Sequence, residues 1–189
     1  LVEAGKILQF GAIVESVAEA DMLLVNCSAL YCLQIIFNIF RQKPIDALFD
    51  KAQRKQIGII ARVPLASGVL SGKFEAKTIF GENDHRNYNK DGEMFNVGET
   101  FAGVPFEKAV ELADRLGSMT PARTGLAKMA LRWILDFDAV TTVMPGATRI
   151  EQARGNAGVS DLPSLNDSLH GDLKALYDSE IEALIRGIY

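Results

Sequence analysis

The sequence predicts an α/β fold built on a parallel sheet of about four strands, half the strand count of a (β/α)8 barrel. Three observations predict it. Residues 33–40 (L-Q-I-I-F-N-I-F) and 57–63 (I-G-I-I-A-R-V) are apolar almost throughout, as strands covered on both faces are. Stretches with helical spacing of apolar residues separate these runs from each other and from strand-like runs at 5–13 and 139–143. The chain has 189 residues, enough for one domain with a sizeable core and short of the roughly 250 that a whole barrel takes.

Each element has its own pattern. Residues 5–13 (G-K-I-L-Q-F-G-A-I) alternate apolar with other types and read as the first strand. Residues 15–24 follow as a helix with Val17, Ala20 and Leu24 on one stripe. The second strand, 33–40, carries two amides, Gln34 and Asn38, and a buried amide without a partner costs about 1–3 kcal/mol. Neighbouring backbone can satisfy both. A helix over 44–55 buries Ile45, Leu48, Phe49 and Ala52. The third strand, 57–63, ends in Arg62 and runs into P-L-A-S-G-V-L-S-G-K. That ending is no P-loop: position 67 is Ser where the motif needs Gly, and Phe74 stands where it needs Ser or Thr.

Residues 75–104 form one long polar segment, and loops of that length inside a domain are usually functional or mobile. Its His85 has no metal-type neighbour and reads as a surface residue. Helices follow over 105–116 and 124–136, with Trp133 on the apolar stripe of the second and therefore in the core. The fourth strand, 139–143, leads into V-M-P-G-A-T-R-I-E-Q-A-R-G-N. Pro145-Gly146 makes a turn, and Thr148 with Glu151 three residues on reads as a capping box opening a helix. Strand, glycine turn and helix start together make a ready anion site, since free N–H groups and the helix dipole point at the same spot. The same stretch also reads as an ordinary βα turn. Residues 157–189 form a helical tail, in which His170 reads as surface.

Composition narrows the function. Hydrophobic residues make up 48% and charged residues 23%, with a net charge of -4, so there is no electrostatic case for nucleic acid or an anionic membrane. No apolar run approaches the roughly 18 residues that span a bilayer. Cys27 and Cys32 fit neither a disulfide framework nor a zinc pattern. With no visible signal peptide, a cytoplasmic protein with two free thiols is expected.

The motifs in this order resemble the aldo-keto reductase family. L-Q-I-I-F-N-I-F-R-Q resembles the sixth strand of that family's barrel, and R-V-P-L-A-S-G-V-L-S-G-K its seventh strand and following loop. A-L-R-W-I-L-D with V-M-P-G-A-T-R-I-E-Q-A-R-G-N resembles the seventh helix and eighth βα unit, and G-K-I-L-Q-F-G-A-I the fifth strand. The resemblance implies the C-terminal half of a (β/α)8 TIM barrel: one partial domain over 1–189, with 75–104 as a cofactor-side loop and 157–189 as the tail.

It also implies an NADP(H) site, with NAD(H) kept open. Gln34 matches the glutamine on the nicotinamide carboxamide, and Arg62 the position that covers a nicotinamide face, where a guanidinium stacks well. Pro64, Leu65, Ser67, Gly68 and Lys73 match the loop around the pyrophosphate. Gly146, Ala147 and Thr148 match the turn at the adenosine phosphate, and Gln152 and Asn156 the contacts to 2′-phosphate and adenine. Arg86 matches a residue that folds over the cofactor.

The departures bear on activity. The family's catalytic Asp, Tyr, Lys and His lie on its first four βα units, none of which matches here, so no catalytic residue is assigned. The family's serine after strand five is Ile13. Gly146 and Gln152 lack the positive charge some members place at the 2′-phosphate, which leaves Arg149 or Arg154 to supply it. The implied function is NADP(H)-dependent oxidoreduction of aldehydes or ketones. This chain would supply the cofactor-binding half and be inactive alone. The alternative is a non-catalytic nucleotide-binding or interaction protein degenerated from such an enzyme. Implied partners are the nicotinamide cofactor, a small carbonyl substrate in the complete protein, and further copies of the chain paired through open barrel edges.

Overall fold

A computed structural model describes all residues, 1–189. Four parallel strands, β1 (Phe10–Ile13), β2 (Leu30–Ile36), β3 (Gly58–Arg62) and β4 (Val140–Val143), form one sheet in the order β1-β2-β3-β4. Strictly sequential order separates this sheet from doubly wound folds, whose strand order reverses partway and whose helices cover both faces. Every connection here steps the same way, which puts the helices on one side, and four such strands fit part of a barrel.

The elements are shorter than the sequence patterns suggest. The first strand was expected from residue 5, but residues 2–5 form a turn closed by Gly5 N–H to Val2 O, with Gly5 at φ +65°. The second strand starts earlier than expected and stops at Ile36, because Asn38 turns the chain: its Nδ2 donates to Val63 O and its Oδ1 accepts from Phe40 N–H. The helix α1 (Val17–Asn26) begins two residues later than expected, since Ser16 caps it by accepting from Glu19 N–H. The expected helix over 44–55 is a π-type turn, Ile45–Phe49, continuing into α2 (Asp50–Arg54). The long helices α4 (Phe106–Met119) and α5 (Leu126–Leu135) bury the stripes that their spacing marked.

The core lies between these helices and the covered face of the sheet. Leu33, Ile35, Ile59 and Ala61 meet Ala109, Leu116, Met129 and Ala130, all buried. Trp133 is core as expected, stacked on Phe37 at 5.0 Å with Phe137 edge-on at 4.9 Å. His170 is not a surface residue. It lies half-buried on α7 (Asp167–Leu176), its ring 6.5 Å from that of Trp133, and its Nε2 pairs with Asp136 at 3.0 Å.

The long segment 75–104 is ordered by side chains rather than by a core of its own. Asn89, fully buried, accepts from Met94 and Phe95 N–H and donates to Thr100 Oγ1. Phe74, Phe80, Phe101 and Phe106 pack edge to face or tilted, and the Arg86 guanidinium lies over Phe80 at 4.6 Å. The last residues strap this segment down. Arg186 donates to Gly103 O and to Asp91, while the Tyr189 ring lies under the buried Arg41 guanidinium at 4.5 Å. Burial pushes Arg41 down to about 10. No helix is long and apolar enough to cross a membrane.

The other face of the sheet is bare except at its C-terminal end, where Ile36 and Arg62 are buried, and β1 and β4 are its two edges. Ile13 is 67% and Met144 51% exposed, and α6 (Ile150–Ala157) buries none of its residues.

Candidate functional site

At the C-terminal ends of β3 and β4 two segments far apart in sequence face each other. After β3 the chain enters Val63, Ala66, Ser67 and Gly68 with φ of 51°, 47°, 55° and 99°. A β-branched residue at positive φ is strained, and three non-glycine residues so placed in one loop mark a segment held in shape by its surroundings. What holds it is visible. Gly68 N–H donates to Leu65 O, Ser67 Oγ donates to Glu99 O, and Phe101 N–H donates to Ser67 Oγ. The loop is thereby tied to the 97–103 segment.

Opposite stands the turn after β4. Thr148 and Glu151 were expected to form the capping box, but Gln152 does this work: its Oε1 accepts from Thr148 N–H, Thr148 Oγ1 and Arg149 N–H. Glutamine has the reach of glutamate without its charge, and it sits one position further round the helix, where it meets all three donors. Asn156 Nδ2 donates to Gly146 O at 3.3 Å. Nothing lies within 4 Å of the place a Cβ would occupy at Gly146, so the turn is open to a ligand.

Between the two segments runs a cleft of about 660 Å³. It is lined by Pro64, Leu65, Ser67, Gly68 and Lys73 from one side and by Gly146, Thr148 and Gln152 from the other, eight of the residues singled out in the sequence. Ala147 and Asn156 face a neighbouring space of about 400 Å³ on the far side of the turn. Gln34 and Arg62 line neither. Gln34 is half-buried on the bare face of the sheet, its Nε2 donating to Met144 Sδ at 3.1 Å. The Arg62 guanidinium is committed elsewhere. It pairs with Glu15 at 3.0 Å and with Glu99, donates to Val14 O, and is pushed down from its usual range by burial.

The structure adds one residue that sequence reasoning set aside, His85, and brings the expected Arg86 beside it. His85 and Arg86, on the single-turn helix α3 (His85–Tyr88), line the cleft, with the His85 side chain 40% exposed. Asp84 caps this turn by accepting from Arg86 N–H and pairs with the Arg86 guanidinium, which holds its carboxyl down at about 2. The D-H-R triplet was the available signal. Lys73 and Arg149 also line the cleft, and neither belongs to any of the chain's ion pairs. In a protein of net charge -4 this is a local concentration of positive charge, with donors and a glycine turn, suited to a polyanion.

No group of three or more His, Cys, Asp or Glu is placed to hold a metal ion. Cys27 and Cys32 are unpaired, as expected.

Comparison with known proteins agrees with this geometry. The family model of the aldo/keto reductase family matches residues 1–178. The L-glyceraldehyde 3-phosphate reductase of Escherichia coli is 34% identical over 112 residues, 59% of this chain and 31% of that protein. An aldo-keto reductase of Strobilurus tenacellus is 26% identical over 187 residues, 96% of this chain and 52% of its own length. Among solved structures, the glycerol dehydrogenase of Gluconobacter oxydans superposes with a TM-score of 0.72 at 22% identity, covering 99% of this chain and 54% of that one. An aldo-keto reductase of Bacillus halodurans in its holo form gives 0.66 at 19%, covering 93% and 52%. The chain thus spans about half the length of these relatives, or less, and at such identities the structures speak for the fold alone. The sheet order, the cleft and the family pattern over residues 1–178 lead to one conclusion: the chain belongs to the aldo/keto reductase family of oxidoreductases.

Proposed function

We propose that this chain supplies strands five to eight of an aldo-keto reductase barrel, and that its cleft holds NADP(H) for hydride transfer to a small aldehyde or ketone. One observation carries the proposal: the convergence of the 64–73 loop and the 146–152 turn on one cationic cleft. The loop backbone around Ser67 and Gly68 with Lys73 would hold the pyrophosphate, and the turn at Gly146 the adenosine phosphate. Ala147, Gln152 and Asn156 belong to the adenosine end. Arg149, unpaired at the cleft, favours the cofactor with the extra phosphate. Gln34 and Arg62 are assigned to the nicotinamide end.

When bound, the cofactor supplies the hydride, and the chain's own contribution is orientation and charge. The segment 75–104 borders the cleft with His85, Arg86 and Glu99, and Arg186 ties that segment to the C-terminal end through Gly103 O and Asp91. Substrate and proton donor are assigned to residues outside these 189. The relative from Escherichia coli, by its name, reduces a phosphorylated aldehyde, which places small polar aldehydes first among substrates to try.

Fluorescence titration with NADPH and NADH tests the reading. Saturable NADPH binding, tighter than that of NADH and weakened by Arg149→Ala, is the expected result. Absence of binding by both, with the fold intact, overturns it.

A further inference from the structure

The charges of the cleft are unevenly placed. Lys73, His85, Arg86 and Arg149 line it, and among all its lining residues Glu99 is the one carboxylate. A carboxylate in a cleft suited to a polyanion costs affinity, unless the part of the ligand that it meets is not a phosphate.

Glu99 marks the part of the cleft nearest β3. Its carboxylate pairs with Arg62, the last residue of that strand, and the next residue, Val63, lines the cleft. Backbone bonds fix where it stands: Glu99 N–H donates to Asn96 O, and Glu99 O accepts from Ser67 Oγ at 2.8 Å. Arg62 is held in turn from the side of β1. Glu15 Oε1 and Val14 O both accept from its Nη2, at 3.0 and 3.2 Å. The other oxygen of Glu15 accepts from Asn96 Nδ2 at 2.6 Å, which closes the network back onto the segment that carries Glu99. With its side chain only 26% exposed, Glu99 acts on the cleft through less water than a surface carboxylate would.

Resting on the cofactor reading above, we propose that Glu99 sets the preference of this site between oxidised and reduced cofactor, with Glu15 positioning the Arg62 that holds it. The charge map of the cleft matches that of the dinucleotide. The dinucleotide is anionic along its phosphates, where Lys73 and Arg149 are assigned. Its nicotinamide ring carries no negative charge: it is neutral when reduced and cationic when oxidised. The carboxylate lies at the β3 end, where the ring is assigned. There it compensates Arg62 and favours the positive charge that develops on the ring as hydride leaves. Making Glu99 neutral leaves Arg62 less compensated, which disfavours the cationic ring and affects the neutral one little.

Calorimetric titration with NADPH and with NADP+ tests this. Glu99→Gln keeps an acceptor for Arg62 and loses the charge. The ratio of the NADP+ to the NADPH dissociation constant should rise on the order of fivefold. Glu99→Asp, which keeps the charge, should stay near the unaltered protein. Glu15→Gln should move the ratio in the same direction by less. A purely structural role would weaken both forms together and leave the ratio in place, and that result overturns the proposal. So does a ratio that falls, or one that shifts as far in Glu99→Asp as in Glu99→Gln. Should Glu99→Gln fail to fold, Glu15→Gln decides by the same ratio. Binding of both forms with an unmoved ratio retires Glu99 and leaves the cofactor reading standing; binding of neither form by the folded, unaltered protein overturns both.

Discussion

Lys73 and Arg149 are the two cations of the cleft without a carboxylate partner. Hydrogen bonds to charged groups are worth about 1.5–3 kcal/mol, so Lys73→Ala should weaken NADPH binding by roughly ten- to a hundredfold. Lys73→Arg should keep most of it, and an unchanged dissociation constant in fluorescence titration would remove Lys73 from the site. Arg62 behaves differently. Its pairs with Glu15 and Glu99 tie the ends of β1 and β3 to the 97–103 segment, so Arg62→Ala is expected to lower the melting temperature as well as cofactor affinity. Asp136 is a carboxylate whose charge bears on stability against pH. Burial alone would raise its carboxyl, but the hydrogen bonds from Leu165 N–H, His170 and Ser164 and the charge of Arg132 outweigh burial and hold it below its usual value of 3.8. A depressed folded value means that its stabilisation is present above about pH 4 and fades as pH falls through the folded value. Asp136→Asn should therefore cost about 1–3 kcal/mol at neutral pH and flatten the loss of stability below about pH 4, as read by denaturant melts across pH.

At the scale of elements, the long segment 75–104 stood out in the sequence by its length and composition, but its internal order did not. That order comes from Asn89, whose two bonded amides and hydroxyl partner are five to eleven residues away, a spacing with no periodic signature. Asn89→Ala should cost about 1–3 kcal/mol and open the segment to proteolysis between residues 89 and 100. Unchanged cleavage and melting would show that the aromatic packing around Phe80 suffices. The turn after β4 teaches a related lesson. A T-x-x-E pattern announced a helix start one residue early: the N-cap is Arg149, and the side chain that reaches back belongs to Gln152, because reach depends on where the chain enters the helix and not on spacing alone.

At the scale of the molecule, an open sheet with half a barrel's strands sets what the chain can do alone. On the proposed reading its cleft holds the cofactor while the proton donor comes from residues outside these 189, and acid assistance is typically worth about 10²–10⁴-fold. The 189-residue chain is therefore expected to bind NADPH without reducing a reactive aldehyde. NADPH oxidation above a buffer control would show that its own residues supply the proton.

The sequence by itself determined the alternation of strands and helices, the buried stripes of α4 and α5, the place of Trp133, and two glycine-bearing turns that follow strands. These are local properties, written in apolar period and turn chemistry within a dozen residues. Only the tertiary structure decided that the two turns, some eighty residues apart, share one cleft. It also brought His85 and Arg86 to the same place, locked Arg62 between two carboxylates, and set the half-buried His170 against Asp136. Each of these is a meeting of side chains from different elements. Periodicity tells which way a side chain points on its own helix or strand; what it meets is set by the sheet order and by the loops that cross the end of the sheet.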